Sequence, residues 1–234
     1  MKSIKLLAAI AMLAVCTSAS AQFSNANGSS SQTVQSNEGW STLWLQYNPT
    51  NVSVDVKGVD DKSASAISLG YSRAFGVSKS IPLFVEAGAG LQYTWTDEGS
   101  EDNLDVNTKL LSIKIPVDLM YKFQIPNSSV AIMPYAGLNL RFNVWGEQKW
   151  EYKSDDDYSD YYDSDDEKTT FDLFDKKDMG KDEVWNRFQI GWRAGVKARF
   201  GKSFIIGAGY GSDFSELYKK AKIGEWTLQL GYTF

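Results

Sequence analysis

Residues Trp226–Phe234 read WTLQLGYTF, and this stretch decides the fold class. Apolar residues occupy every second position, and small or polar residues fill the positions between them. Alternation with a period of two is typical of a β-strand that has one apolar face and one polar face. Aromatic residues stand at both ends of the apolar face, where a strand that crosses a membrane meets the two interfaces. We therefore expect Leu228 and Leu230 to face lipid and Gln229 to face away from it.

The same alternation recurs upstream and divides the chain into eight predicted strands. Tight turns such as Gly201-Lys202 and Pro126–Ser129 alternate with longer polar loops. This order of connections is typical of an up-and-down barrel with short periplasmic turns and long extracellular loops. The predicted fold class is all-β, an eight-stranded antiparallel transmembrane β-barrel. The predicted strands are 40–47, 64–75, 83–96, 109–123, 130–145, 185–200, 203–211 and 226–234.

A soluble lipocalin-like barrel is the alternative, since it also has eight up-and-down strands but turns its apolar face inward. Aromatic clusters near both strand ends, glycines on the polar face and uncharged apolar faces favour the membrane barrel. A lipid-facing Lys or Arg at the bilayer midplane would cost about 2–4 kcal/mol. The predicted lipid-facing aromatic girdle consists of Tyr71, Tyr93, Trp95, Tyr121, Phe123, Phe142, Phe188, Phe200, Trp226, Tyr232 and Phe234.

The N-terminal sequence predicts export. Two lysines precede a short apolar run, and Ala19-Ser20-Ala21 follows it, so residues 1–21 have the pattern of a cleavable signal peptide. A membrane-spanning helix would need about 20 apolar residues, more than this run contains. Cys16 raises the alternative of a lipoprotein signal, but Val15 stands where such a signal has a small residue. The expected location is the cell outer membrane.

The rest of the chain divides into a flexible N-terminal segment, 22–39, and the barrel, 40–234. Within the barrel, residues 146–183 are predicted to form a long acidic extracellular loop. This loop holds 15 acidic and 6 basic residues, a net charge of −9, whereas the whole chain carries −5. The negative charge is therefore concentrated in one loop on a mildly basic body.

We predict that any specific function of the protein resides in the acidic loop, because this loop combines carboxylates with tyrosines. Three interpretations stay open: a solvated surface loop, weak binding of Ca²⁺ or Mg²⁺, and a protein-binding surface, for which tyrosines are well suited. A true EF-hand is excluded, since Asp160 stands where that motif requires glycine. The candidate divalent-cation ligands are Asp155, Asp157, Asp160, Asp163, Asp165 and Asp166.

The chain also resembles a known family. Residues Ile113–Phe123 read IKIPVDLMYKF, which is similar to the Ile-Pro strand ending in Tyr-Lys-Phe of the PorT-like small outer-membrane β-barrels of Gram-negative bacteria. Gly88–Leu91, Pro134–Gly137 and the C-terminal Gly-Tyr-Thr-Phe are similar too. The resemblance covers residues 40–234 and implies the fold and the compartment. It implies no catalytic residues, and by analogy with PorT it implies an accessory role in secretion.

Histidine is absent from the chain. This excludes Ser-His-Asp and Cys-His nucleophile systems and histidine-based metal sites. Outer-membrane lipases, deacylases, palmitoyl transferases and omptin-like proteases resemble one another in needing a histidine. A carboxylate-only hydrolase built on Asp118 and Glu86 is the enzymatic alternative, but these acids are better explained as counter-ions of Lys114 and Lys122. We predict that the protein is not an enzyme and has no cofactor.

The polar strand faces predict a charged barrel interior. An eight-stranded barrel is just wide enough for side chains to fill it, so we expect a plug that prevents permeation. The alternative is a narrow anion-preferring path, because basic residues outnumber acidic ones in the predicted interior. The predicted interior network consists of Glu86, Lys114, Asp118, Lys122, Arg141, Arg187, Arg193, Lys197 and Arg199.

Two function classes follow from these predictions. The first is an integral outer-membrane barrel with a structural or interaction role and residues 146–183 as its binding surface. The second is a narrow channel or an accessory component of outer-membrane transport or secretion. The expected partners are membrane lipid and lipopolysaccharide, the barrel assembly machinery through the C-terminal strand ending in Phe234, and a protein at residues 146–183. Nucleic acid is not an expected partner.

Overall fold

Antiparallel β-strands make up most of the structure, a computed structural model that describes residues 38–54, 62–98, 104–152, 168–179, 184–218 and 220–234. The elements are β1 (Trp40–Val54), β2 (Lys62–Gly76), β3 (Leu83–Glu98), β4 (Leu104–Tyr121), β5 (Phe123–Gln124), β6 (Val130–Tyr152), β7 (Lys168–Asp172), the one-turn helix α1 (Lys176–Met179), β8 (Phe188–Phe200), β9 (Phe204–Asp213) and β10 (Ala221–Thr233).

Eight of these strands close into a barrel. Each long strand pairs antiparallel with the next long strand along the chain, and β10 pairs with β1 to complete the ring. The short strands β5 and β7 pair only with β6. No helix in the described ranges is long and apolar enough to span a bilayer. The predicted eight-stranded antiparallel barrel is confirmed.

The barrel is apolar outside and polar inside. Along β10, Leu228 and Leu230 are 54% and 60% exposed, whereas Thr227 and Gln229 are 7% and 4% exposed. Polar residues are buried and large apolar residues are exposed around the whole ring, which is the reverse of a soluble protein. An exterior of this kind is stable against lipid, and a closed barrel satisfies every backbone hydrogen bond there. The lipocalin-like alternative, with its apolar face inward, is excluded.

Tight turns join the strands at one end of the barrel, which we call the turn end. The turn between β8 and β9 has three residues, 201–203, because Phe200 pairs directly with Phe204. The prediction of a two-residue turn is therefore wrong by one residue. Gly201 begins this turn with a φ of 61°, a left-handed conformation that glycine adopts without strain.

At the opposite, loop end, three strands extend beyond the rest of the barrel. β4 begins at Leu104 and β6 continues to Tyr152, whereas the sequence predicted a loop over 97–108 and a loop from 146 onward. β7 pairs with the distal part of β6, and we call residues 104–110, 145–152 and 168–172 the β4–β6–β7 extension. Residues 145–152 and 168–172 have polar residues on both faces, so they lack the apolar alternation that marks a barrel strand. Residues 104–110 do alternate, but their outward face is polar.

A β-bulge at Val144 separates the extension from the barrel wall. The register between β4 and β6 shifts so that Ser112 pairs with Asn143 but Leu111 pairs with Trp145. The extra residue inverts the inward and outward positions. Asn143 is fully buried inside, and Trp145 is 41% exposed on the outer surface. An uninterrupted alternation would place the Trp145 indole inside the barrel.

Candidate functional site

Eight charged side chains of the described residues lie in the barrel interior, each at most 6% exposed. They form two clusters, one nearer the loop end and one nearer the turn end. Four cations face four carboxylates, so the interior carries no net formal charge. The cations are Lys114, Arg141, Arg193 and Lys197, and the carboxylates are Glu86, Asp118, Asp213 and Glu225.

The loop-side cluster is centred on Glu225. Its carboxylate pairs with Lys114 and, at 3.0 Å, with Arg141. The Gln92 amide donates a further hydrogen bond to it at 3.0 Å. Arg141 also binds Asp213 at 3.0 Å. Each of these charges loses its hydration shell on burial, and the charge-assisted hydrogen bonds offset that loss.

The turn-side cluster is centred on Lys197. Its ammonium lies 2.8 Å from Glu86 and 3.6 Å from Asp118. Arg193 lies 3.3 Å from Asp118 and donates to the Tyr135 hydroxyl at 3.2 Å. Both cations also lie over the Tyr135 ring, 5.1 Å and 4.8 Å from its centroid, a favourable cation–π geometry. The two acids, two bases and one ring fill the barrel at this level.

Apolar side chains lie beyond the charged clusters at both ends of the interior. At the turn end, the Trp40 and Phe84 rings are buried with their centroids 4.7 Å apart. At the loop end, Leu110 is buried together with Leu173 and Leu217, which come from the connections that follow β7 and β9. The interior is therefore layered, with apolar residues above and below the ion pairs.

The cavities between these layers are small. One, beside Asn139 and Arg141, has a volume of about 10 Å³, close to what a single water molecule needs. Another, under Leu217 and Trp185, has a volume of about 40 Å³. Side chains thus occupy most of the space that an open pore would require.

Two interior aromatic side chains occupy space that glycines leave free. Trp44 lies over Gly70 and Gly90, and a Cβ at either glycine would overlap its indole. Tyr135 lies in the same way over Gly195 and Gly209. This pairing explains why glycines share the polar face of the strands.

Gly90→Ala is expected to lower the free energy of unfolding by about 1–3 kcal/mol, the usual cost of overpacking. The added methyl would meet the Trp44 indole and would lie 2.6 Å from the Leu69 carbonyl oxygen. Urea titration of the protein in lipid vesicles measures the loss. Gly207→Ala is the matched control, since its Cβ meets no atom closer than 3.2 Å. Equal stability of the two variants would contradict the packing argument.

Six of the nine residues predicted for the interior network lie in the two clusters: Glu86, Lys114, Asp118, Arg141, Arg193 and Lys197. The other three do not. Arg187 is exposed at the loop end, 4.2 Å from the Phe174 ring centroid. Lys122 and Arg199 lie at the turn end, 5.9 Å and 4.7 Å from the Trp40 ring centroid. Partial burial and the nearby Arg199 charge lower the pKa of Lys122. These three residues sit too near the strand ends to reach the sealed interior.

Sequence reasoning missed Asp213 and Glu225 because it assigned residues 212–224 to a loop and began the last strand at Trp226. Both acids continue the inward positions of their strands, beside Gly211 in β9 and Thr227 in β10. Their inclusion balances the interior charge. The predicted excess of basic residues, and with it the basis for an anion-preferring path, therefore disappears.

The eleven residues predicted for the aromatic girdle lie on the outward face in two groups. Ring contacts link members within a group, such as Tyr121 with Phe123 at 4.5 Å and Tyr232 with Phe234 at 6.4 Å. The two groups flank a belt of mainly Leu, Ile, Val and Ala, which also contains Tyr47, Pro134 and Trp192. The turn-end group is Tyr71, Tyr121, Phe123, Phe200, Tyr232 and Phe234, and the loop-end group is Tyr93, Trp95, Phe142, Phe188 and Trp226.

Several predicted features lie outside the described residues. These are the signal peptide, nearly all of the segment 22–39 and the six candidate cation ligands, so they stay predictions. Within the ranges that the structure describes, no three or more His, Cys, Asp or Glu side chains are placed to hold a metal ion. The candidate ligands are Asp155, Asp157, Asp160, Asp163, Asp165 and Asp166.

A closed barrel with a lipid-compatible exterior and a neutralised polar interior is an integral membrane β-barrel protein. The chain belongs to the outer membrane protein beta-barrel domain family, whose model matches residues 7–234. Its location is therefore the outer membrane. The chain has no significant match among curated proteins. The narrower resemblance to PorT-like barrels stays a prediction.

Solved structures with a similar fold include three outer-membrane barrels. Ail, the attachment invasion locus protein of Yersinia pestis, is 17% identical with a TM-score of 0.45, and the match covers 84% of this chain and 99% of Ail. Neisserial surface protein A is 16% identical with a TM-score of 0.42, over 83% and 97% of the two chains. The outer membrane enzyme PagL is 12% identical with a TM-score of 0.42, over 81% and 97%. Likeness at this level carries no information about function.

Proposed function

We propose that the protein is a non-conducting, non-enzymatic outer-membrane barrel that acts through a binding surface at its loop end, formed by residues 146–183. The filled interior carries this proposal. Four cations and four carboxylates neutralise one another there, and apolar residues such as Trp40 and Leu173 lie beyond them. An ion would have to displace several ion pairs to pass. We therefore expect the protein to act through the surface that projects from the membrane at the loop end.

The β4–β6–β7 extension supports a binding role because it offers a rigid aromatic platform. Trp150 is 36% exposed and packs against Phe171 with ring centroids 5.5 Å apart. Aromatic residues are enriched at protein interfaces. The net charge of −9 over residues 146–183 favours a partner with a basic surface and speeds its association.

With the turns in the periplasm, the extension lies at the cell surface beside lipopolysaccharide. The C-terminal strand ending in Phe234 is the element that the barrel assembly machinery would receive. The acidic residues within 153–167 would supply the specific contacts with a protein partner. The PorT-like resemblance implies that this partner is a component of a secretion machine.

Planar-bilayer recording tests the filled interior. The wild-type barrel and a variant lacking residues 153–167 are both expected to give no stable current steps, because the barrier lies in the barrel and not in the loop. The narrow-channel alternative predicts unit steps that Arg193→Glu abolishes. Steps of that kind would overturn the proposal.

The same two proteins test the binding surface. Vesicles that carry the wild-type barrel are expected to bind immobilised polylysine, and high salt should release them because exposed charges are screened. Vesicles with the deletion variant should bind several-fold less. Equal binding of the two would remove the acidic loop from the proposal.

A further inference from the structure

Arg73 is a charged residue on the lipid-facing surface. It stands between Tyr71 and Phe75 at outward positions of β2. Lys109 faces outward beside Trp95 at the loop end. Among the described strand residues that face outward between that level and the turns, Arg73 is the only charged side chain. Its spacing of two residues from both Tyr71 and Phe75 places it on their outward face. A lone outward arginine is unfavourable in hydrocarbon and favourable beside headgroups, so its position calls for a ligand at the interface.

The polar groups around Arg73 form a donor cluster. Its Nη1 donates to Ser41 Oγ at 2.9 Å, and Ser41 Oγ lies 2.8 Å from the Tyr71 hydroxyl. Either hydroxyl can donate in the Ser41–Tyr71 contact, since a serine oxygen has two acceptor lone pairs. When Ser41 donates, the Tyr71 proton is free for an acceptor outside the cluster.

Within the described chain, Arg73 has no carboxylate partner within 4 Å. Its Nε is buried and makes no hydrogen bond there. The carbonyl oxygen of the C-terminal Phe234 accepts the Ser41 N–H at 3.1 Å. The only side-chain hydrogen bond of the guanidinium among the described residues is the one from Nη1 to Ser41, so its Nη groups keep donor capacity at this half-buried, lipid-facing position.

The neighbouring side chains place this cluster at the level of the headgroups. The Arg73 guanidinium lies 5.8 Å from the Phe75 ring centroid, and the rings of Tyr71 and Phe234 are 6.4 Å apart. Such aromatic residues sit at the membrane–water interface. On the adjacent strand Arg73 pairs with Ala87, a small residue that leaves room for an acyl chain beside the guanidinium.

We propose that Arg73, Ser41 and Tyr71 form a binding site for the phosphate of a glycerophospholipid in the leaflet at the turn end. The guanidinium fork binds two phosphate oxygens, as arginine does at planar anionic groups. The Tyr71 hydroxyl donates to the same phosphate, and the ester-linked acyl chains lie along the apolar belt. The basic side chains of the turns, such as Lys79 and Lys202, attract anionic headgroups to this end.

Native mass spectrometry of the full barrel in a non-ionic detergent tests the site. Dioleoylphosphatidylglycerol and dioleoylphosphatidylethanolamine are expected to form one-to-one adducts, whereas a galactosyl diacylglycerol with the same chains is not. Arg73→Leu should weaken the phospholipid adduct about tenfold, the scale of one charge-assisted contact. Arg73→Lys should retain part of the binding, since it keeps the charge but loses the fork.

Lys202→Leu is the matched control, because it removes one exposed positive charge from the same end without touching the cluster. Its adduct should match that of the wild type. If Arg73→Leu does not fold, Ser41→Ala/Tyr71→Phe removes both hydroxyls while retaining the charge, and it should weaken the adduct several-fold. Undiminished phospholipid binding by these variants, or equal binding of the galactolipid, would overturn the site. Neither result bears on whether the interior conducts.

Discussion

Glu225→Ala is expected to lower the free energy of unfolding by about 3–5 kcal/mol, the cost of breaking a buried ion pair from one side. The carboxylate pairs with Lys114 and Arg141 and accepts hydrogen bonds from Gln92 and Asn48. Alanine would leave two buried cations with only Asp213 nearby. The substitution thus removes little apolar packing but a large part of the interior charge balance.

Urea titration in vesicles, followed by tryptophan fluorescence, measures the loss at neutral pH. Glu38→Ala is the control, because Glu38 is exposed at the turn end, and it should stay within about 0.5 kcal/mol of the wild type. Glu225→Leu/Lys114→Met should recover a substantial part of the stability, since an apolar pair of similar volume can replace a buried ion pair. A loss below about 1 kcal/mol for Glu225→Ala would mean that water or lipid headgroups reach the interior.

The fold was predictable because the apolar alternation is a local property of each strand. In β10, the residue types at neighbouring positions are enough to predict which face meets lipid. The structure confirms that Leu228 faces outward and Gln229 faces inward. The closure of the barrel followed from the strand count and the order of the connections. The strand faces and the closure of the barrel can therefore both be predicted without knowing any contact between residues that are distant in the chain.

The partners inside the barrel could not be predicted in the same way. Alternation places Lys114 and Glu225 on the polar face, but they are 111 residues apart in the chain and meet only when the ring closes. Asp213 was assigned to the loop 212–224, and Glu225 fell just before the predicted start of the last strand, because the apolar signal weakens at the loop ends of β9 and β10. The bulge at Val144 has no local signature either, since it depends on the register with β4.

Leu228→Arg is expected to lower the free energy of unfolding by about 2–4 kcal/mol, the cost of an arginine facing the bilayer midplane. Leu228 lies on the outward face of β10, between the aromatic residues Trp226 and Tyr232. Those aromatic residues mark the two interfaces, so the two outward positions between them, Leu228 and Leu230, lie deepest in hydrocarbon. The measurement is urea titration in vesicles, with heat-modifiable gel mobility as the sign of a folded barrel.

Two further variants separate the charge from the loss of the leucine. Leu228→Ala removes the side chain without adding charge and should cost far less, because lipid chains fill the space that leucine leaves. Trp226→Arg carries the same charge two residues nearer the loop end and should cost only about 0–1 kcal/mol, as expected near an interface. A soluble barrel would tolerate an exposed arginine equally well at both positions. Equal costs at Leu228 and Trp226 would therefore contradict the assignment of the outer face to lipid, whereas a depth-dependent cost would follow from it directly.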